Sequence, residues 1–121
     1  MSNEITTNVG FSMSSGNYSL SESASSTRFN QLTPGGGGPG LVAIATGEHQ
    51  QILFGDVTPG FILMRNMDTG NYVNYGNVSG NLDFKLRPNK GPGLIELDSG
   101  GQLWMVANTS GCNVYISSLN I

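Results

Sequence analysis

Apolar residues along this chain fall in short alternating or clustered stretches, and no segment repeats them at helical spacing over three turns. Residues 61–66 read FILMRN, entered through Pro59-Gly60; Asp68-Thr69-Gly70 interrupts the run and NYVNY follows at 71–75. Aromatic and β-branched runs on either side of an Asp/Gly connection predict a hairpin, because Gly accepts the positive φ of such a turn. The first run carries too many apolar residues for one face, which predicts a central strand buried on both sides. Residues 82–87 alternate cleanly, with Leu82, Phe84 and Leu86 against Asp83, Lys85 and Arg87, the mark of an antiparallel sheet with one wet face. Further strands are expected at 41–46, 50–54, 94–97, 103–107 and 112–117, the last with Val114 and Ile116 inward. Gly, Pro, Asn and Asp stand between them, so 108–111 reads as the turn of a final hairpin. Strands of this length and spacing predict an all-β fold, an antiparallel β-sandwich or jelly-roll-like single domain.

Residues 1–34 are the least apolar part and are crowded with serine. FSMS at 11–14 and YSLS at 18–21 alternate with period 2, so one or two weak strands are expected. Residues 22–28 have room for one short helical turn. The region reads as an N-terminal arm that pairs with a neighbouring subunit, with Phe11, Met13, Tyr18, Leu20 and Phe29 as its contact residues. Residues 35–40 belong to the run PGGGGPG, a flexible hinge between this arm and the sandwich of 41–121. A phosphate-cradling loop would need Lys-Ser/Thr and a helix after the glycines, whereas Leu41-Val42-Ala43-Ile44 is strand-like.

Composition narrows the partners. Charged residues make up 11% of the 121, against about 25% in an average soluble protein. A surface built from neutral polar groups costs less to desolvate than a charged one, which favours protein–protein contact. The net charge is −3 and the five basic residues, Arg28, Arg65, Lys85, Arg87 and Lys90, form no dense stripe, so no nucleic-acid partner is expected. No apolar run approaches the roughly 18 residues of a membrane span, and the first ten residues lack a secretory pattern. A cytoplasmic site of synthesis and assembly is expected. The sequons at Asn17, Asn77 and Asn108 are then accidental.

Candidate chemistry is sparse. His49 is the only histidine, the acids come singly, and neither zinc nor calcium spacing occurs, so no metal or cofactor is expected. Cys112 alternates with Val114 and Ile116 and so points to the core as a small hydrophobe. One histidine among many serines gives no nucleophile pattern, and an enzyme is not expected. Tyr72, Tyr75, Trp104 and Tyr115, near Asn71, Asn74, Asn77 and Asn108, are residue types that line sugar sites. The plainer reading makes the aromatics core or interface packing and the asparagines turn residues.

The segments GDVTPGFILMRNMDTGNYVNYG, LDFKLRPNKGPGLIEL and LWMVANTSGCNVYISSL resemble small all-β proteins encoded among the structural genes of tailed bacteriophages. The shared features are Gly55-Asp56-Val57, an apolar strand ending in Arg65-Asn66, Asp68, Asn71-Tyr72-Val73, a Leu-x-Leu-x-Pro strand to Pro88 and an apolar C-terminal strand. The likeness covers about the last two-thirds of the chain; the serine-rich start matches only in composition and the glycine run departs from the pattern. It implies a virion component without enzymatic activity, assembled in the host cytoplasm. The expected role is a capsid decoration, cement or minor capsid protein that contacts the major capsid or another virion protein and forms a homo-oligomer, such as a trimer. A tail, baseplate or fibre component and a lectin-like β-sandwich are the alternatives.

Overall fold

A computed structural model describes residues 4–30, 36–55, 59–98 and 100–120, with only the backbone of residues 4 and 24–30. Asp56, Val57, Leu32 and Gly35 therefore lie outside the described residues, as does the side chain of Phe29. The chain is all-β, with three antiparallel sheets, and divides into two compact units, Met1–Pro34 and Gly35–Ile121.

The first unit is a two-stranded ribbon of β1 (Glu4–Ser15) and β2 (Tyr18–Asn30). Ser15 pairs with Tyr18 across a two-residue turn whose first position, Gly16, has φ 57°. That left-handed conformation costs glycine little and other residues more. The serine-rich sequence thus forms long strands, and the residues read as a helical turn, 22–28, belong to β2. A register shift between Thr7 and Val9 gives β2 one extra residue and brings Phe29 opposite Ile5.

The second unit contains β3 (Gly36–Ile44), β4 (Gln50–Gln51), β5 (Phe61–Asn66), β6 (Val73–Gly76), β7 (Phe84–Leu86), β8 (Gly91–Glu96), β9 (Trp104–Ala107) and β10 (Cys112–Leu119). They form two four-stranded sheets, in the orders β3-β10-β5-β8 and β4-β9-β6-β7. Alternate residues of β5, β8, β9 and β10 turn inward. Ile44, Ile62, Met64, Val114 and Ile116 from the first sheet meet Val73, Leu86, Met105 and Ala107 from the second in one buried core. The arrangement is β-sandwich-like.

Strand pairing departs from the sequence reading. Residues 61–66 and 71–75 do not form a hairpin: β5 and β6 lie in different sheets, and residues 67–72 arch between them. Likewise β9 and β10 are separated by a crossing, not joined as a hairpin. In the described part of the second unit only β6 and β7 are neighbours in both sequence and sheet. β5 buries one face, not two, since Leu63 is exposed between Ile62 and Met64. Residues 36–40, expected as a hinge, run as part of β3 and pair with β10, where the buried Ser118 hydroxyl donates to the carbonyls of Gly38 (2.9 Å) and Gly37 (3.2 Å).

Asn66 explains the first arch. It is the last residue of β5 and fully buried, so its amide must find partners. Nδ2 donates to the carbonyls of Asn71 (2.9 Å) and Leu86 (3.2 Å), and Oδ1 accepts from the Asp68 N–H (3.0 Å). One side chain therefore ties β5, the arch and β7 in the opposite sheet. The next crossing is bound to the same place: Asn89 and Lys90, both left-handed (φ 60° and 63°), donate their N–H groups to the carbonyls of Asp68 and Asn66 (2.7 Å each). Gly91 must follow, because a Cβ there would run into the Arg87 carbonyl.

Candidate functional site

The inward alternation that builds the core fixes what faces out. On the first sheet the register aligns Leu41, Tyr115, Arg65 and Pro92 in one row, Ser117, Leu63 and Leu94 in the next, and Leu119, Phe61 and Glu96 in a third. Leu41 is 62% exposed, and Leu63, Leu94, Tyr115 and Leu119 are exposed too. The outer face of this sheet is therefore an apolar patch with Arg65 in its midst. The second sheet presents a more polar exterior. Asn74 pairs with Lys85, and Gln51 with Trp104, along that sheet. Lys85 Nζ stands 4.4 Å from the centre of the Tyr72 ring, and the Trp104 indole N–H donates to Gln102 Oε1 at 3.0 Å.

The ribbon is amphipathic as well. Val9, Phe11 and Met13 occupy alternate positions of β1, and Met13 and Phe11 pair with Leu20 and Glu22 of β2, next to Tyr18 opposite Ser15. Val9, Phe11, Met13 and Tyr18 are exposed, Phe11 to 62%, while Leu20 is half-buried. The positions between them are Gly10, Ser12, Ser14, Ser19, Ser21 and Ser23. Phe29 shares this ribbon through its backbone register only.

The two ends of the sandwich differ in kind. At one, three connections, 67–72, 87–90 and 108–111, are knotted by polar groups. Asp68 Oδ2 accepts from the N–H groups of Asn71 (2.7 Å) and Gly70 (3.0 Å), which hold its carboxyl below the usual carboxylate range. The Asn71 side chain bonds the hydroxyls of Ser110 and Thr109, the latter at 2.5 Å. Cys112 is buried beneath, its thiol 3.7 Å from the carbonyls of Asn71 and Ser110. Burial, then the charge of Asp68, push its pKa up. A thiol held protonated is a poor nucleophile. Among the described residues, no three His, Cys, Asp or Glu side chains group as metal ligands.

The other end is open. A cleft of about 790 Å³ enters between the sheets, lined by Tyr75, Phe84, Ile95, Leu97, Gln102 and Leu103 among others. The rings of Tyr75 and Phe84 are 5.4 Å apart and tilted by 30°, and burial raises the Tyr75 hydroxyl pKa. Phe84, expected to point into the core with Leu86, is 60% exposed and forms a wall of this cleft.

The four aromatics singled out from sequence are thus dispersed. Tyr75 lines the cleft, Tyr72 and Trp104 belong to the second sheet's polar surroundings, and Tyr115 lies on the apolar patch of the first sheet. Leu41, Leu63, Leu94 and Leu119 went unnoticed as surface residues. Their signal was the alternation itself: once Ile62, Met64, Val114 and Ile116 are inward, the residues between them must face out. The chain matches no protein-family model, no curated protein and no solved structure.

Proposed function

We propose that this chain is a non-enzymatic structural protein of a tailed-bacteriophage particle, a decoration, cement or minor capsid protein that works through protein–protein contact. The observation that carries the reading is a pair of exposed apolar faces, on the ribbon and on the β3-β10-β5-β8 sheet, in a chain with few charges. Contiguous exposed apolar surface commonly marks a protein–protein contact. The strand orders β3-β10-β5-β8 and β4-β9-β6-β7 fit a jelly roll, an architecture used by capsid and lectin domains. Fold alone decides no function, so the sequence resemblance and the two faces supply the choice between them. A lattice repeats one modest contact many times, which holds a shell without any single contact being strong. Cryo-EM of purified particles should show the protein at regular positions on the head, contacting the major capsid protein; particles lacking it would remove the reading.

The cleft favours a second reading, a saccharide site, since aromatic walls with amide groups at the rim suit sugar rings. A glycan array comparing the native chain with Phe84→Ala tests it: binding lost in the variant supports this reading, and a blank array with the native chain counts against it.

A further inference from the structure

We propose that the β1–β2 ribbon of one copy lies, apolar face down, on the outer face of the β3-β10-β5-β8 sheet of a second copy. This rests on the assembly reading above and names the contact through which the chain would associate with itself. A two-stranded ribbon is marginal in water unless something covers its apolar side. Val9, Phe11, Met13 and Tyr18 stand exposed on the ribbon, and Leu41, Leu63, Leu94, Tyr115 and Leu119 on the sheet.

Charge selects between possible partners. The ribbon's apolar row contains one described charge, Glu22, opposite Phe11 near its middle. Arg65 sits between Tyr115 and Pro92, well inside the sheet's apolar face. Both are exposed. Ribbon against ribbon would bring Glu22 towards Glu22, an opposed like charge. The second sheet offers Lys85, but that ammonium is already over the Tyr72 ring and is flanked by polar neighbours. Among the described residues, only the first sheet combines a broad apolar face with an exposed cation inside it, and Glu96, the acid on that face, lies two rows away from Arg65.

Size agrees with a reciprocal contact. The exposed row from Val9 to Ser15 reaches about 23 Å, within the span of β10, and two strands with their side chains are about 10 Å wide, giving about 230 Å² on each partner. One such contact is smaller than a stable interface, which buries about 1,600 Å² in total. When every copy both gives and receives a ribbon, two contacts together bury about 900 Å², close to the roughly 1,000 Å² at which specific interfaces begin. The two faces differ, so the association is saturated only in a closed exchange or ring.

Disulfide trapping between separately purified full-length variants tests the geometry. Phe11→Cys mixed with Leu63→Cys should give a cross-linked heterodimer under mild oxidation, whereas Phe11→Cys mixed with Lys85→Cys should not. Glu22→Arg and Arg65→Glu should each weaken self-association about tenfold or more, and mixing the two variants should restore both contacts, since the ribbon of each then meets the opposite charge on the sheet of the other. A chain that stays monomeric at high concentration, cross-links that join Phe11→Cys chains to each other in preference, or a mixture no tighter than either variant would overturn the proposal. These measurements use free protein, so they separate from the particle test. Self-association by this route in a protein absent from particles would sink the virion reading alone; particle incorporation without it would sink this contact alone.

Discussion

The ribbon and the sandwich carry similar alternation but meet different fates. In Gly35–Ile121 two amphipathic sheets face each other, and Met64, Val73, Met105 and Val114 lose all contact with solvent. In Met1–Pro34 the apolar row has only one layer of strands to belong to, and Phe11, Met13 and Tyr18 are left exposed. Alternation is enough to specify a strand; a second layer decides whether the strand is stable. The sandwich supplies its own cover; the ribbon's row from Val9 to Tyr18 finds none within its own unit.

Separating the two units should give the largest effect. A chain beginning at Gly35 keeps all eight strands of the two sheets, so it should unfold cooperatively with little change in Tm. A peptide of residues 1–34 should show a coil-like circular dichroism spectrum. A folded peptide, or a truncated chain that cannot fold, would break the comparison. The truncated chain should also fail to self-associate, which sedimentation can read directly.

Single truncations sharpen the contrast. Met64→Ala removes a fully buried side chain from the sandwich and should cost about 2–5 kcal/mol in urea unfolding. Phe11→Ala removes a larger side chain from the ribbon, yet should alter the stability of dilute chain by no more than about 0.5 kcal/mol. Equal losses would mean that the ribbon's apolar row is buried after all.

Asn66 should come next. Asn66→Ala leaves the Asp68 N–H and the carbonyls of Asn71 and Leu86 without their side-chain partner, at a cost of about 1–3 kcal/mol. Amide exchange should quicken around residues 67–72 and 87–90 more than in the opposite end of the sandwich. A uniform change across the domain would show that Asn66 does not act through the arches.

The same residue marks the limit of what can be read from sequence. The strands at 61–66, 103–107 and 112–117 were legible because burial demands alternation or compact apolar runs. Their partners were not. Asp68-Thr69-Gly70 has the composition of a hairpin turn, but Asp68 caps an arch that Asn66 pins to the opposite sheet. Turn chemistry tells where a chain bends; whether it returns to the same sheet depends on contacts such as Asn66 to Leu86, twenty residues apart. Residues 36–40 misled for a related reason: glycine lacks a side-chain pattern, and only the ladder to β10 makes those residues a strand. The apolar face of the first sheet was hidden in the run FILM, whose surplus apolar residue, Leu63, suggested a second buried side instead of an exposed patch.

The smallest effect concerns a single proton at the closed end. Cys112 is held neutral by burial and by the nearby Asp68 charge, so its folded pKa lies above that of the unfolded thiol. Its contribution to stability is therefore complete below the unfolded value and is lost as pH rises through the folded one. Urea midpoints should fall above about pH 8.5, where a free thiol begins to ionise. Cys112→Val keeps an apolar side chain there without the titration, so its midpoint should fall less steeply over that range. Tyr75, also raised by burial, would account for a later decline in both proteins as free tyrosine ionises, near about pH 10. If both proteins lose stability in parallel from pH 8.5 upward, the thiol is not the responsible group. Cys112 and Tyr75 both belong to Gly35–Ile121, so the chain lacking residues 1–34 should follow the full chain across this range, which assigns the alkaline loss to the sandwich.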